Sequence, residues 1–239
     1  MNLTIKILIE ESIDFKDKIF ITGFHGVGAA GYIAIRHLTT ALPVKKIGYL
    51  ESDKLPGFIS IENDQLLLPY EFFEFENFII FLARSQPGRD ELNEFVIELV
   101  NWVIKNKFKE AILIGGLDNK FKDGEEELKS VPTKKFMPKN KWKLLDKGLF
   151  VTGPLALLLA YFEMRNFPAC ALLPYSERER PDPRASAVAI KEINEFYDKV
   201  KADTEELIKD AEKIEEEIKS IMQSQDKDSP DSSSGGMYV

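Results

Sequence analysis

Up to residue 182, short apolar runs of strand length alternate with stretches whose apolar residues recur at spacings of three and four. Strands joined by crossover helices produce this alternation, and it points to an α/β fold whose mainly parallel sheet is covered on both faces. The clearest case begins at Asp90. From there to Lys107, residues Leu92, Phe95, Val96, Leu99, Val100 and Val103 line one face of a helix. That helix delivers the chain to Ala111–Ile114, a fully apolar strand ending at Gly115-Gly116.

The same reading extends in both directions. Leu3 to Ile9 alternates with period two, as a half-buried strand does. Lys18 to Thr22 is a strand running into Gly23-Phe24-His25-Gly26-Val27-Gly28, and Ala29 to Thr40 reads as a helix stopped before Pro43. Strands are predicted at Lys46–Leu50, Phe58–Ile61, Gln65–Leu68 and Phe78–Ala83, with Asn63-Asp64 turning a hairpin between the second and third. Asp118 to Ser130 is polar and reads as an exposed loop, followed by a ragged strand near Thr133–Met137. Pro154 opens a helix that runs to Met164, and Ala169 to Leu173 is the last strand. The expected architecture is a three-layer α/β sandwich over residues 1–182.

Beyond Pro183 the character changes. Ile190, Ile193, Tyr197, Val200, Thr204, Leu207, Ala211, Ile214, Ile218 and Ile221 follow a heptad spacing, with Glu and Lys filling the remaining positions. A single apolar stripe has to be buried against the body, a neighbouring helix or a second subunit. Thr204 and Ala211 weaken a free-standing zipper, so residues 183–222 read as a helical oligomerisation segment. Residues 223–239 begin with QSQDKDSPDSSSGG, which has no apolar residue and is expected to be disordered.

Composition removes several function classes. A net charge of −8 argues against broad nucleic-acid binding, which needs clustered Lys and Arg. No segment has the ~18 continuous apolar residues of a membrane helix, and Met1 to Glu11 reads as a strand instead of a leader, so a cytoplasmic protein is expected. Cys170 is the only cysteine, which precludes an internal disulfide, and its apolar neighbours place it in a buried strand. There is no G-x-S-x-G, no H-E-x-x-H and no cluster with metal-ligand spacing.

One enzyme-like signal remains. Gly26-Val27-Gly28-Ala29-Ala30-Gly31 matches G-x-G-x-x-G between a strand and a helix, and Glu51 stands near the end of the next strand. Gly26, Gly28, Gly31 and Glu51 would together hold a nucleotide. The alternative is that a tight strand-to-helix turn needs glycines for geometry alone. The hairpin that follows Glu51, in place of a second crossover helix, favours that alternative.

The tail is different in kind. After the polar spacer, Ser224 to Gly236, the sequence ends on Met237, Tyr238 and Val239. A flexible spacer of this length reaches roughly 20 Å on average. An apolar–tyrosine–aliphatic ending suits capture of a C-terminal carboxylate by a partner, with Tyr238 and Met237 filling a groove.

The strand–Gly23-Phe24-His25-Gly26-Val27-Gly28–helix opening, the segment LIGGLDN at 113–119, and TGPLALLLAYFEMR followed by ACALLPY resemble the PAC2 family, archaeal relatives of proteasome assembly chaperones. The resemblance covers roughly residues 1 to 200. The ending Met237-Tyr238-Val239 resembles the hydrophobic–tyrosine–any-residue tails of proteasome activators and assembly factors. These resemblances imply a non-enzymatic, ATP-independent chaperone without cofactor. Such a protein would be a homo-oligomer, a tetramer or pentamer, whose tails insert between α-subunits of the proteasome core particle. An adaptor for another archaeal client remains the alternative.

Overall fold

The computed structural model describes residues 4–10, 13–62, 64–137 and 142–227. Eleven strands and five α-helices are formed among them. In chain order these are β1 (Ile5–Ile9), β2 (Ile19–Gly23), α1 (Ala30–Ala41), β3 (Lys45–Ser52), β4 (Ser60–Glu62), β5 (Gln65–Leu67), β6 (Tyr70–Phe75) and β7 (Phe78–Ala83). Then follow α2 (Leu92–Lys105), β8 (Glu110–Ile114), β9 (Leu117–Asp118), β10 (Leu128–Pro132), α3 (Gly153–Met164), β11 (Ala169–Ser176), α4 (Pro183–Phe196) and α5 (Glu205–Lys227).

The main sheet has the order β1-β3-β6-β7-β2-β8-β11-β10, with β9 pairing onto the end of β11. Its centre, β7-β2-β8-β11, is parallel, as the crossover pattern requires. Both flanks are antiparallel: β1, β3 and β6 lead into β7 on one side, and β10 closes the other. The flanks have a local cause. β6 and β7 are joined by only Glu76 and Asn77, with Glu76 at φ 51°, and so short a turn returns the chain antiparallel. β4 and β5 form the expected hairpin as a separate two-stranded ribbon.

The central strands are apolar on both faces, and alternate residues enter two different cores. Phe20, Phe81, Leu113 and Ala171 pack with Phe95, Leu99 and Val103 of α2 and Leu158 and Phe162 of α3. Ile21, Ile80, Ile112 and Leu172 pack with Ile35 and Leu38 of α1 and Ile190 and Ile193 of α4. Each fully buried large aliphatic side chain contributes about 1.5–3 kcal/mol relative to exposure.

The expected strand near Thr133–Met137 is displaced: β10 occupies Leu128–Pro132, beginning inside the end of the segment 118–130 expected to be a loop. It carries Lys129, only 3% exposed, whose ammonium meets Glu126 at 2.8 Å and Asp146 at 3.1 Å. A paired lysine is what allows this polar stretch to pair with β11. The heptad spacing is also interrupted, because α4 ends at Phe196 and α5 begins at Glu205. Between them Tyr197, Val200 and Ala202 cover the same core as α4. Asn194 exchanges two hydrogen bonds with the Ala202 backbone at 2.9 and 3.1 Å, and His37 Nε2 lies 2.6 Å from the Asp203 carbonyl.

Candidate functional site

The glycine turn sits at the carboxyl end of β2, in the middle of the sheet. Its glycines are needed for close approach. A Cβ on Gly31 would collide with the carbonyl oxygen of Ile114 and lie 3.0 Å from that of Phe24; one on Gly23 would lie 2.6 Å from the Gly31 carbonyl oxygen. Gly28, at φ 59°, leaves no room against Ser176 Oγ, and a Cβ there would be 2.8 Å from the Glu177 carbonyl oxygen. Gly26 alone faces open space. Three of the four glycines therefore serve the packing of α1 against β8 and of the turn against the end of β11.

Asp182 ties these pieces together. Its backbone N–H donates to the Gly28 carbonyl at 2.8 Å, while its carboxylate accepts from the N–H groups of Glu177 at 2.8 Å and Ala185 at 3.0 Å. The second of these contacts caps α4, whose first residue is Pro183. The segment Glu177–Asp182 is thus held against the glycine turn by a side chain that is itself 7% exposed.

Beside the turn lies a cavity of about 560 Å³. Phe24, His25 and Val27 form one side, Leu117 to Phe121 the next, and Leu145 to Thr152 a third, with Leu155 and Leu173 beneath. The His25 ring stacks on Tyr32 with centroids 3.9 Å apart, and partial burial pushes its imidazole pKa below the usual value, favouring the neutral form. Asp118 accepts from the Lys120 N–H at 3.1 Å, meets the Lys120 ammonium at 3.1 Å and reaches the Arg178 guanidinium at 3.5 Å. These contacts, the backbone hydrogen bond foremost, hold its carboxyl below the ordinary range.

The nucleotide reading does not assemble. Glu51 lies on β3, which is separated from β2 by β6 and β7, three strand spacings or roughly 14 Å away. It lines a different, smaller cavity of about 240 Å³ with Leu8 and Tyr49. Cys170 is fully buried in the second core, and burial pushes its thiol up to about 12, where no thiolate nucleophile exists at neutral pH. Among the described residues no three His, Cys, Asp or Glu side chains are grouped as metal ligands, and no helix is long and apolar enough to cross a membrane. Met237, Tyr238 and Val239 lie outside the described residues. Sequence reading placed the glycine turn but not its partners, because the 145–152 wall has no periodicity and Arg178 comes from a charged loop.

The sequence model of the PAC2 family matches residues 20–222. The chain belongs to the PAC2 family. Among similar solved structures, PbaA of Pyrococcus furiosus, an archaeal homolog of proteasome-assembly chaperone, is 28% identical and superposes with a TM-score of 0.80 over 93% of each chain. PbaB of the same organism, an archaeal proteasome activator, is 23% identical, with a TM-score of 0.75 over 91% of this chain and 98% of PbaB; at that identity the likeness is one of fold. An uncharacterized protein of Methanocaldococcus jannaschii is 26% identical over 221 residues, 91% of each sequence. The PAC2 region thus takes in the glycine turn, the cavity, α4 and most of α5.

Proposed function

We propose that this PAC2 protein is a non-enzymatic, ATP-independent factor of the proteasome, an assembly chaperone or activator, that docks Met237, Tyr238 and Val239 into the core-particle α-ring. The observation that carries the chaperone or activator role is the likeness to PbaA, 28% identical with a TM-score of 0.80 over 93% of both chains. The separation of Glu51 from the glycine turn counts against the nucleotide-binding alternative. The tail supplies the chemistry of docking: a carboxylate for a basic pocket, and Tyr238 and Met237 for a groove between subunits.

One tripeptide buries little surface, so affinity for a ring has to come from several tails on one cytoplasmic homo-oligomer, a tetramer or pentamer. Each tail that binds raises the effective concentration of the next. In this reading residues 1–182 are the three-layer body, residues 183–222 set the subunit arrangement, and residues 223–239 are the flexible docking arm. Ile214 and Ile218 are only half-buried on the chain's own surface and are the candidates for contact between subunits. Co-sedimentation of the intact and tail-deleted proteins with purified α-rings tests the proposal, with light scattering to report mass. Binding by the intact protein alone is expected, with both proteins forming the same oligomer. Equal binding after deletion would sink the docking mechanism.

A further inference from the structure

The cavity beside the glycine turn is placed where open α/β sheets bind ligands. β2 and β8 are parallel neighbours. The chain leaving β2 enters α1, which packs into the core with Ile21 and Ile112. The chain leaving β8 continues through β9 and β10 to α3, which packs into the opposite core with Phe20 and Leu113. Connections that depart to opposite faces open a crevice at the carboxyl ends of the two strands. The cavity lies in that crevice, between residues 24–27 after β2 and residues 115–121 after β8.

Its lining specifies the chemistry of an occupant. The floor is apolar: Phe24, Leu117, Leu155 and Leu173 are each less than a tenth exposed and still border the space. The charged lining residues are Asp118, Lys120 and Arg178, two cations against one carboxylate. Lys120 takes Asp118 at 3.1 Å, but Arg178 reaches Asp118 only at 3.5 Å and Glu179 only at 4.0 Å. Both contacts are longer than the roughly 2.7–2.9 Å of a charge-assisted hydrogen bond, so the guanidinium fork has donors to offer a second carboxylate. A cationic rim over an apolar floor disfavours a metal ion, and no three His, Cys, Asp or Glu side chains converge there among the described residues. One net positive charge is also too little for a di- or triphosphate.

The third wall carries an exposed aromatic residue between two glycines. Its 149–152 part lies between Gly148 at φ 90° and Gly153 at φ 71°, and neither glycine has any atom near its would-be Cβ. Between them Phe150 borders the cavity while its side chain is 82% exposed, and Phe121 faces it from the other rim at 38%. A large aromatic ring is left in water at the mouth of an apolar space, on a short segment with a left-handed glycine at each end.

We propose that this crevice is a binding site for a small amphipathic monocarboxylate, an aliphatic or aryl-alkyl chain ending in one carboxylate. The carboxylate pairs with Arg178, the apolar body fills the floor, and Phe150 folds over it. A volume of about 560 Å³ is within the range of about 300–1,000 Å³ for pockets that enclose such molecules. The site uses no tail residue and stands independently of ring docking.

The test is calorimetric titration of the full-length protein with decanoate below its micelle concentration, alongside decanol and acetate. Decanoate is expected to bind saturably at one per chain, at least tenfold more tightly than either control. Arg178→Gln, a change at a side chain 61% exposed, should keep the fold by circular dichroism and remove that preference for decanoate over decanol. Phe150→Ala should weaken decanoate several-fold without altering the preference. Absence of saturable binding would overturn the proposal, as would equal affinity for decanol or unchanged affinity in the folded Arg178→Gln protein.

Discussion

Replacing Gly31 by alanine separates the two meanings of the glycine motif. The new methyl group would meet the Ile114 carbonyl oxygen head-on and lie 3.0 Å from both the Ile114 carbonyl carbon and the Phe24 carbonyl oxygen. All three obstacles are backbone, so relief requires α1 to move away from β8. Overpacking of this kind costs about 3 kcal/mol at the upper end of its range. Alanine recovers about 1 kcal/mol as the better helix former, leaving a net loss of about 2 kcal/mol. For a chain of this size that lowers the melting temperature by about 4–8 °C. Gly28→Ala adds the left-handed penalty of about 1–2 kcal/mol to its contacts with Glu177 and Asp182, so its loss should be at least as large. Gly26→Ala meets nothing within 4 Å and should stay within about 0.5 kcal/mol of wild type. The assay is thermal and urea unfolding of the three variants, each with and without millimolar ATP or NAD. A nucleotide at a hundredfold over its dissociation constant would add about 2.7 kcal/mol, a readily measured shift. The reasoning fails if Gly26→Ala is the most damaging of the three, or if either nucleotide raises the wild-type midpoint by that amount.

The other expectations concern charge and burial. Glu71 is fully buried between Arg84 and Lys46, so Glu71→Leu strands a guanidinium that is 11% exposed and should cost about 3–5 kcal/mol by urea unfolding; adding Arg84→Met should recover much of the loss. Glu126 has its carboxyl held down to about 2 by hydrogen bonds from Lys129 and Lys143, against 4.5 for a free side chain. Its folded value lies below its unfolded one, so its stabilisation is complete above about pH 4.5 and disappears as pH falls towards 2. Glu126→Gln should therefore lower the urea midpoint at pH 7 and flatten its decline between pH 5 and 2. Cys170 should react with a thiol reagent at the rate of unfolding, so that the rate rises with denaturant; fast labelling of the native protein at pH 8 would contradict its burial.

What was legible in the sequence depended on whether a residue's type matched its environment. The central strands and α2 could be read because their apolar residues are in fact buried, with the period of the element they form. β6 was missed and β10 misplaced because each hides a charge. Glu71 and Lys129 read as surface residues until their partners Arg84, Glu126 and Asp146 are known, and those lie 13, 3 and 17 positions away. The stripe from Ile190 to Ile218 shows the converse error. Its three-and-four spacing continues through Tyr197 and Val200 although the helix does not, because the loop there covers the same core as α4. Spacing reported burial, and helical continuity was an inference laid over it.

The glycine turn defines the limit more sharply. Close approach of a phosphate and close approach of a carbonyl oxygen make the same demand on Gly31, the absence of a Cβ, so no local pattern can tell them apart. The distinction is made by strand order. β6 and β7, inserted between β2 and β3, carry Glu51 out of reach, while β8 on the other side of β2 places the Ile114 carbonyl in the space that Gly31 leaves. β8 is also the strand whose chain departs to the other face, which is what opens the crevice beside Phe150. Loss of the nucleotide geometry and gain of the apolar cavity thus follow from the two neighbours of one strand: β7, which stands where β3 would have to be, and β8, whose chain departs to the other face.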